Sequence, residues 1–332
     1  MAKTDAYTEI SEHPLKQMID STNKLLRDLL EQKRIPASVF EKLKPPQDCE
    51  LPHLYYNPKD HKPGVPLRPI VAGLKSPITP ISKYLDKTLR PIFEKYTQHY
   101  TLQNTYVFWN HLDKHPTTED TILATFDITD LYTMIPQKES IMALCRFLAK
   151  CGKSKIKNIS IDTFAKLSRH VLDNAYFAYE NRLFKQIKGG PMSFAITQIL
   201  ADVYMFEWEK DILAQQTAEK QLYVRFRDDI FLTSRLSILD LEKHLKSYNE
   251  QDRHIKLTYE IDKTVNYLDV TVHIQCPVAR TTVYHKPAAQ PYVLPYNSAH
   301  PMHIKGIFHM RHTSVLSASV LTQHIALKNP QK

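Results

Sequence analysis

The stretch LYVRFRDDIFLTS, Leu222 to Ser234, sets two adjacent acids, Asp228 and Asp229, between two runs of strand-forming residues. Tyr223, Val224 and Phe226 precede the pair, and Ile230, Phe231, Leu232 and Thr233 follow it. The simplest geometry is a hairpin with both acids at its tip. Aspartate is common in turns because its carboxylate accepts from nearby backbone amides, so the pair alone describes an ordinary turn as well as it does a site. The residues further out decide between the two.

Upstream, TILATFDI (121–128) reads as a buried strand that ends near Asp127. Helical spacing of apolar residues predicts helices over 15–30, 81–96, 138–150, 161–174, 192–213 and 237–248. AYFAYENRLFKQI alternates about Glu180 and Asn181 like a hairpin, broken by Gly189 and Gly190. LTYEI, YLDVTVHI and TTVYHK read as later strands. Residues 51–80 carry a proline every few positions, with Lys59, Lys62, Arg68 and Lys75 between them, and predict an extended basic arm or hairpin. Strands and helices thus alternate around one antiparallel sheet with helices on one face, an α+β fold of split βαβ topology. In such a sheet the hairpin tip lies beside the end of the TILATFDI strand, which places Asp127 next to Asp228 and Asp229.

Three converging carboxylates raise one another's pKa unless a cation neutralises them. Mg²⁺ takes oxygen ligands and uses one or two protein carboxylates plus substrate phosphates. Two such ions about 3.5–4 Å apart clamp the attacking and leaving oxygens of an in-line phosphoryl displacement.

The 332 residues carry 44 Lys and Arg against 35 Asp and Glu, a net charge of +9 that favours an anionic partner such as nucleic acid. No run is long and apolar enough to span a bilayer, and the N-terminus lacks a secretory signal, so nucleus or cytoplasm is the expected compartment. Cys49, Cys145, Cys151 and Cys276 show no metal or disulfide spacing and read as reduced core thiols. Nothing bears on oligomeric state.

The motifs, in order, resemble the reverse transcriptase of Penelope-like retroelements. LYYNPKDHKPGVPLRPIVAGLKSP resembles its fingers motif, TFDITDLYTMIP its first palm motif, and FKQIKGGPMSFAITQILADVYMFEWE its glutamine–glycine–methionine motif and following helix. VRFRDDIF stands where the family has an aromatic, a variable residue and two aspartates, and LTYEI, NYLDVTV, VYHKP and SAHPMHIKGI resemble the end of the palm and the entry to the thumb. The resemblance implies a right-hand polymerase: an N-terminal helical extension (1–50), a fingers-like segment (51–120), a palm with inserted fingers elements (121–275), and the palm end with the start of a thumb (276–332). It implies that Asp127 and Asp228 hold catalytic Mg²⁺, with Mn²⁺ as a substitute, and that Asp229 supports them. Lys59 and Arg68 would meet the incoming triphosphate, and Tyr132 would stand against the sugar 2′ position, where a bulky ring favours dNTPs. Gln186, Gly189 and Met192 would line the nucleotide pocket and the template/primer. The implied partners are an RNA template, a DNA primer and dNTPs, and the element's life cycle implies the nucleus.

Two positions depart from the family pattern: Arg227 precedes the aspartate pair where a small or apolar residue is usual, and Ser193 follows Met192 in place of glycine. The chain also stops before the GIY-YIG endonuclease common in that lineage, which suggests a truncated copy, a fragment or a nuclease-lacking member. The alternative function is a catalytically idle nucleic-acid-binding remnant. His300, His303, His309 and His312 fit no closed zinc site and are expected to face solvent or phosphate.

Overall fold

The computed structural model describes residues 5–58 and 64–285. Strand β1 (Tyr7–Ile10) leads into helix α1 (Leu15–Glu31), whose Met18, Thr22, Leu26 and Leu29 form a buried stripe. Helix α2 (Ala37–Leu43) follows, and β2 (His53–Pro58) and β3 (Leu67–Ala72) then make the antiparallel hairpin expected of the proline-rich arm. Helix α3 (Thr79–Thr97) opens with Pro80, where a missing N–H costs nothing. Helix α4 (Thr105–Asp113) is capped by Asn104, whose side chain accepts from the Val107 amide.

Strand β4 (Ile122–Ile128) is followed by a single turn, α5 (Leu131–Met134), and by α6 (Gln137–Lys150). The two-residue strands β5 (Lys155–Ile156) and β6 (Ile159–Ser160) precede α7 (Ile161–Asp173). Strands β7 (Tyr176–Tyr179) and β8 (Arg182–Gln186) turn through Glu180 and Asn181, both at positive φ, as a two-residue hairpin requires. Helices α8 (Ala195–Trp208) and α9 (Lys210–Ala218) lead to the aspartate hairpin, β9 (Tyr223–Phe226) and β10 (Asp229–Ser234). Helix α10 (Ile238–Gln251) and strands β11 (Leu257–Asp262), β12 (Thr264–Tyr267), β13 (Val270–His273) and β14 (Arg280–Val283) complete the described chain.

The strands form several sheets where one was expected. The central sheet has the order β11-β4-β10-β9, all antiparallel. A second, β1-β8-β7-β2-β3, joins strands from residues 7–10, 53–72 and 176–186. The third, β12-β13-β14, arises because NYLDVTV is not one strand: Leu268 takes φ 53° and folds it into a hairpin. The helix predicted over 192–213 begins later and breaks at Glu209, between α8 and α9. Cys49, Cys145 and Cys151 are half-buried and Cys276 is exposed, so the free thiols sit nearer the surface than expected.

Residues paired across the central sheet share a face. Phe126 and Ile230 point to one side, into the main core, where α8 packs against α3 and α6. The opposite face is divided. Its far end, Leu123, Val224 and Phe231, is covered by Phe108 of α4 and by Val265, Tyr267 and Val272 of the β12–β13 hairpin. Its near end carries Asp127, Asp229 and Thr258 side by side. Half the sheet face is thus sealed and half is left open at the ends of the strands. Among the described residues no helix is long and apolar enough to cross a membrane.

Candidate active site

Asp127 of β4 lies directly opposite Asp229 of β10, and Asp229 opposite Phe226 of β9, so Arg227 and Asp228 form the turn. Arg227 takes the left-handed conformation, φ 58°. Three successive carbonyls of this turn are each held by a different element. The Arg227 carbonyl accepts from Nη1 of Arg225 at 2.9 Å, that of Asp228 from the Ile128 amide at 3.1 Å, and that of Asp229 from the Tyr267 hydroxyl at 3.1 Å. The turn is fixed from within β9, from β4 and from β12 at once.

Burial holds the Asp228 carboxyl above the ordinary aspartate range, and the charge of Asp127 adds to the rise; a backbone hydrogen bond and the charges of Arg68 and Arg227 act against it. A carboxylate pair that repels in this way is what a divalent cation neutralises. No three His, Cys, Asp or Glu side chains of the described residues form a ready-made metal cage. A divalent cation that takes only one or two protein carboxylates and completes its shell with water and phosphate oxygens is compatible with this pair. A shallow groove of about 270 Å³ runs over Asp127, Asp229, Thr258 and Glu260 to Tyr267.

Behind the turn lies a closed charge cluster. Arg225 is 1% exposed; its Nε donates to Glu209 Oε2 at 2.8 Å and its Nη1 to Asp202 Oδ1 at 3.1 Å. Tyr100 and Tyr223 donate their hydroxyls to the two Glu209 oxygens at 2.7 and 2.9 Å. These residues escaped the motif reading, although a signal existed. Strand alternation puts Arg225 on the inward face with Tyr223, and Asp202 and Glu209, seven apart, share one face of a helical run.

Near the turn, Tyr132 in α5 is half-buried and donates its hydroxyl to Gln198 Oε1 at 2.9 Å. Burial first, then the nearby charges of Asp228 and Asp202, push its phenol up. Gly189, at φ 60°, explains the glycine pair: a Cβ there would stand 2.1 Å from the Tyr132 carbonyl oxygen, and the Gly190 amide donates to that same oxygen at 2.9 Å. The glycines therefore let the 187–193 loop rest against the turn that carries Tyr132. Gln186 is buried, and its amide donates to the Lys188 carbonyl at 2.9 Å, shaping that loop from inside. Met192 is half-buried beside it. Ser193, a departure from the family pattern, donates its hydroxyl to the Val71 carbonyl and so fastens the start of α8 to β3. Arg68, exposed on β3, projects its charge towards Asp228, whereas Arg227 lies over the Phe226 ring, 5.3 Å from its centroid. Lys59 and the four C-terminal histidines lie outside the described residues. A larger cavity, about 740 Å³, opens beside the turn between Arg90, Gln98, Gln103, Gln198, Asp202 and Arg227.

A four-stranded antiparallel sheet with helices on one face, and an aspartate turn meeting an aspartate strand end, form the palm-like sheet of a right-hand polymerase fold. Residues 61–306 match the family model described as reverse transcriptase (RNA-dependent DNA polymerase), and the chain belongs to that family, whose reaction class is nucleotidyl transfer. Among solved structures it is similar to apo telomerase from Candida tropicalis truncated from its C-terminal domain (14% identity, TM-score 0.52, 80% of this chain and 60% of that one). It is also similar to telomerase from Candida albicans in complex with a fragment of telomeric RNA (11% identity, TM-score 0.53, 76% and 49%). A third similar structure is the RNA polymerase complex inside a double-stranded RNA virus (13% identity, TM-score 0.50, 79% and 25%). At these identities the likeness is one of fold, and the chain spans less than two thirds of each of these relatives. No curated protein matches the sequence.

Proposed function

We propose that this chain is an RNA-directed DNA polymerase of a Penelope-like retroelement that extends a DNA primer on an RNA template. The observation that carries the proposal is the register that sets Asp127 against Asp229, with Asp228 in the turn beside them, on the open half of the palm sheet. In the reaction the primer 3′-oxygen bonds to the α-phosphorus of a dNTP, the bond to the bridging oxygen breaks, and pyrophosphate leaves. Bound Mg²⁺, held by Asp127 and Asp228 with Asp229 in support, would supply charge neutralisation of the phosphates and activation of the 3′-hydroxyl.

The chain's own residues supply alignment and electrostatics. The triple capture of the turn carbonyls holds Asp228 against Asp127 before any substrate arrives. Arg68 on β3, whose charge acts on Asp228, would meet the triphosphate by a bidentate fork, with Lys59 as a further positive charge. Tyr132 presents its ring to the sugar and favours dNTPs. The Gly189–Gly190 loop and Met192 support that ring and the template strand. Dispersed Lys and Arg hold the hybrid through phosphates, so binding is salt-sensitive and independent of sequence. The retroelement setting, residence in the nucleus and the Penelope-like subtype rest on the motif resemblance and belong to the same proposal.

The test is dNTP incorporation on oligo(dT)-primed poly(rA) with Mg²⁺ or Mn²⁺, run beside Asp228→Ala. Synthesis by the parent and none by the variant is the expected result. Tight hybrid binding with no synthesis by either protein would instead favour an idle remnant.

A further inference from the structure

A continuous set of hydrogen bonds joins the two halves of the site through one buried side chain. From the metal side, the Arg227 carbonyl accepts from Arg225 Nη1, and the same nitrogen donates to Asp202 Oδ1 at 3.1 Å. From the nucleotide side, the Tyr132 hydroxyl donates to Gln198 Oε1 at 2.9 Å, and Gln198 Nε2 donates to Asp202 Oδ2 at 3.3 Å. Asp202 is 6% exposed, and Arg90 stands 3.7 Å from its Oδ2. Each carboxylate oxygen serves a different half.

The chemistry of the middle member fixes the ends. An ionised carboxylate only accepts, so Gln198 must turn its amide nitrogen to Asp202 and its carbonyl to Tyr132. An acceptor carbonyl in turn holds the phenol as donor, in one ring orientation. The same carboxylate orients the Arg225 fork that holds the turn. We propose that Asp202 is a positioning residue for both the aspartate turn and the Tyr132 ring, and that this shared anchor sets the discrimination between deoxy- and ribonucleotides. The inference rests on the polymerase function proposed above. A wall against a 2′-hydroxyl works only while it keeps its place, since displacement of a reacting group by about 1 Å costs on the order of a hundredfold in rate.

The experiment compares the parent, Asp202→Asn and Gln198→Leu, each assayed for dTTP and UTP incorporation on oligo(dT)-primed poly(rA), with kcat and KM resolved. Asparagine nearly preserves the shape but can present either an acceptor or a donor, so the glutamine loses its enforced orientation. Asp202→Asn is expected to lower dTTP kcat/KM by roughly tenfold and to cut the dTTP-over-UTP ratio severalfold. Gln198→Leu severs only the Tyr132 arm and is expected to cut the ratio with a smaller fall in dTTP turnover. General destabilisation would lower both nucleotides by one factor and leave the ratio untouched. If the parent polymerises and neither variant changes the ratio, the inference is overturned and the polymerase stands. If the parent itself does not polymerise, the proposed function falls and the inference falls with it. Should Asp202→Asn fail to fold, which circular dichroism reads, Gln198→Leu at its half-buried position still decides the ratio.

Discussion

The aspartate hairpin carries two clusters of charge on its two faces, and they are built on opposite plans. On the open face, Asp127, Asp228 and Asp229 gather carboxylates of one sign, and Asp228 is held above its ordinary range by burial and by Asp127. On the closed face, Arg225 lies between Asp202 and Glu209 and donates to both Glu209 oxygens, each of which also accepts from a tyrosine, Tyr100 or Tyr223. The first cluster costs stability, because burial and the Asp127 charge both oppose ionisation of Asp228. The second is paired internally, and through the Arg227 carbonyl it fixes the turn that the first depends on. Separate faces let one hairpin be both strained in charge and rigid in backbone.

If that division holds, substitutions on the two faces have opposite signatures. Asp228→Ala should abolish incorporation, by on the order of a thousandfold or more, because the open face carries the chemistry. Its thermal midpoint should stay level or rise, since an unfavourable buried charge is removed. Primer extension beside a thermal melt reads both, and residual synthesis within tenfold of the parent breaks the comparison. Arg225→Met should do the reverse. It strands Asp202 and Glu209 without their cation, which costs about 3–5 kcal/mol. Denaturant unfolding measures that loss, and an unchanged midpoint would mean the closed face is not what holds the hairpin.

The open face was legible in the sequence and the closed face was not, for a physical reason. Asp127 and the Asp228–Asp229 pair interrupt apolar strands with charges that a turn alone does not require, and they sit within ordered motifs. Arg225 interrupts a strand as well, but its partners Asp202 and Glu209 lie on a helix that reads from its apolar spacing alone, and only the packing of α8 behind β9 brings them together. The family resemblance puts Gly189 at the template, and the structure adds a backbone duty against Tyr132 that no spacing announces. Local turn chemistry was equally hidden: Leu268 at positive φ splits what reads as one strand into β12 and β13, and that split is what brings Tyr267 onto the Asp229 carbonyl. The helices α2 and α4 are too short to show a clear period.

Acidification separates ligand binding at the hairpin from stability elsewhere. His170, largely buried between α7 and α1 with Thr22 and Asn174 as partners, is pushed down to about 4 by burial. Its folded value lies below the unfolded one, so stability is full above about pH 6.5 and falls as pH drops towards 4, by on the order of 3 kcal/mol. Asp228 has the opposite sign. Its folded value is raised, so the folded protein takes up the extra proton, and stability falls as pH rises through the interval above the ordinary aspartate value. Chemical denaturation between pH 4 and 7 should therefore show loss on the acid side, and His170→Gln should remove most of it. Mn²⁺ affinity, followed by electron paramagnetic resonance, should fall with pH in parent and variant alike. A variant that also changed the metal profile would tie the two regions together.

The smallest effect belongs to Arg227, which contributes to both faces with different atoms. Its carbonyl is held by Arg225 on the closed face, while its guanidinium, over the Phe226 ring, lowers the Asp228 pKa from the open one. Arg227→Ala keeps the carbonyl and the left-handed backbone and removes only the guanidinium. Without that cation the Asp228 carboxyl rises further, so the pH at which Mn²⁺ binding is half lost should move upward, with Arg68 still acting against the rise. The thermal midpoint should stay within ~2 °C of the parent, since nothing on the closed face has changed. A shifted metal profile at constant midpoint would divide Arg227 between the two faces atom by atom. A fall in midpoint with no shift in the profile would place the whole residue in the scaffold and leave Arg68 as the cation that tempers Asp228.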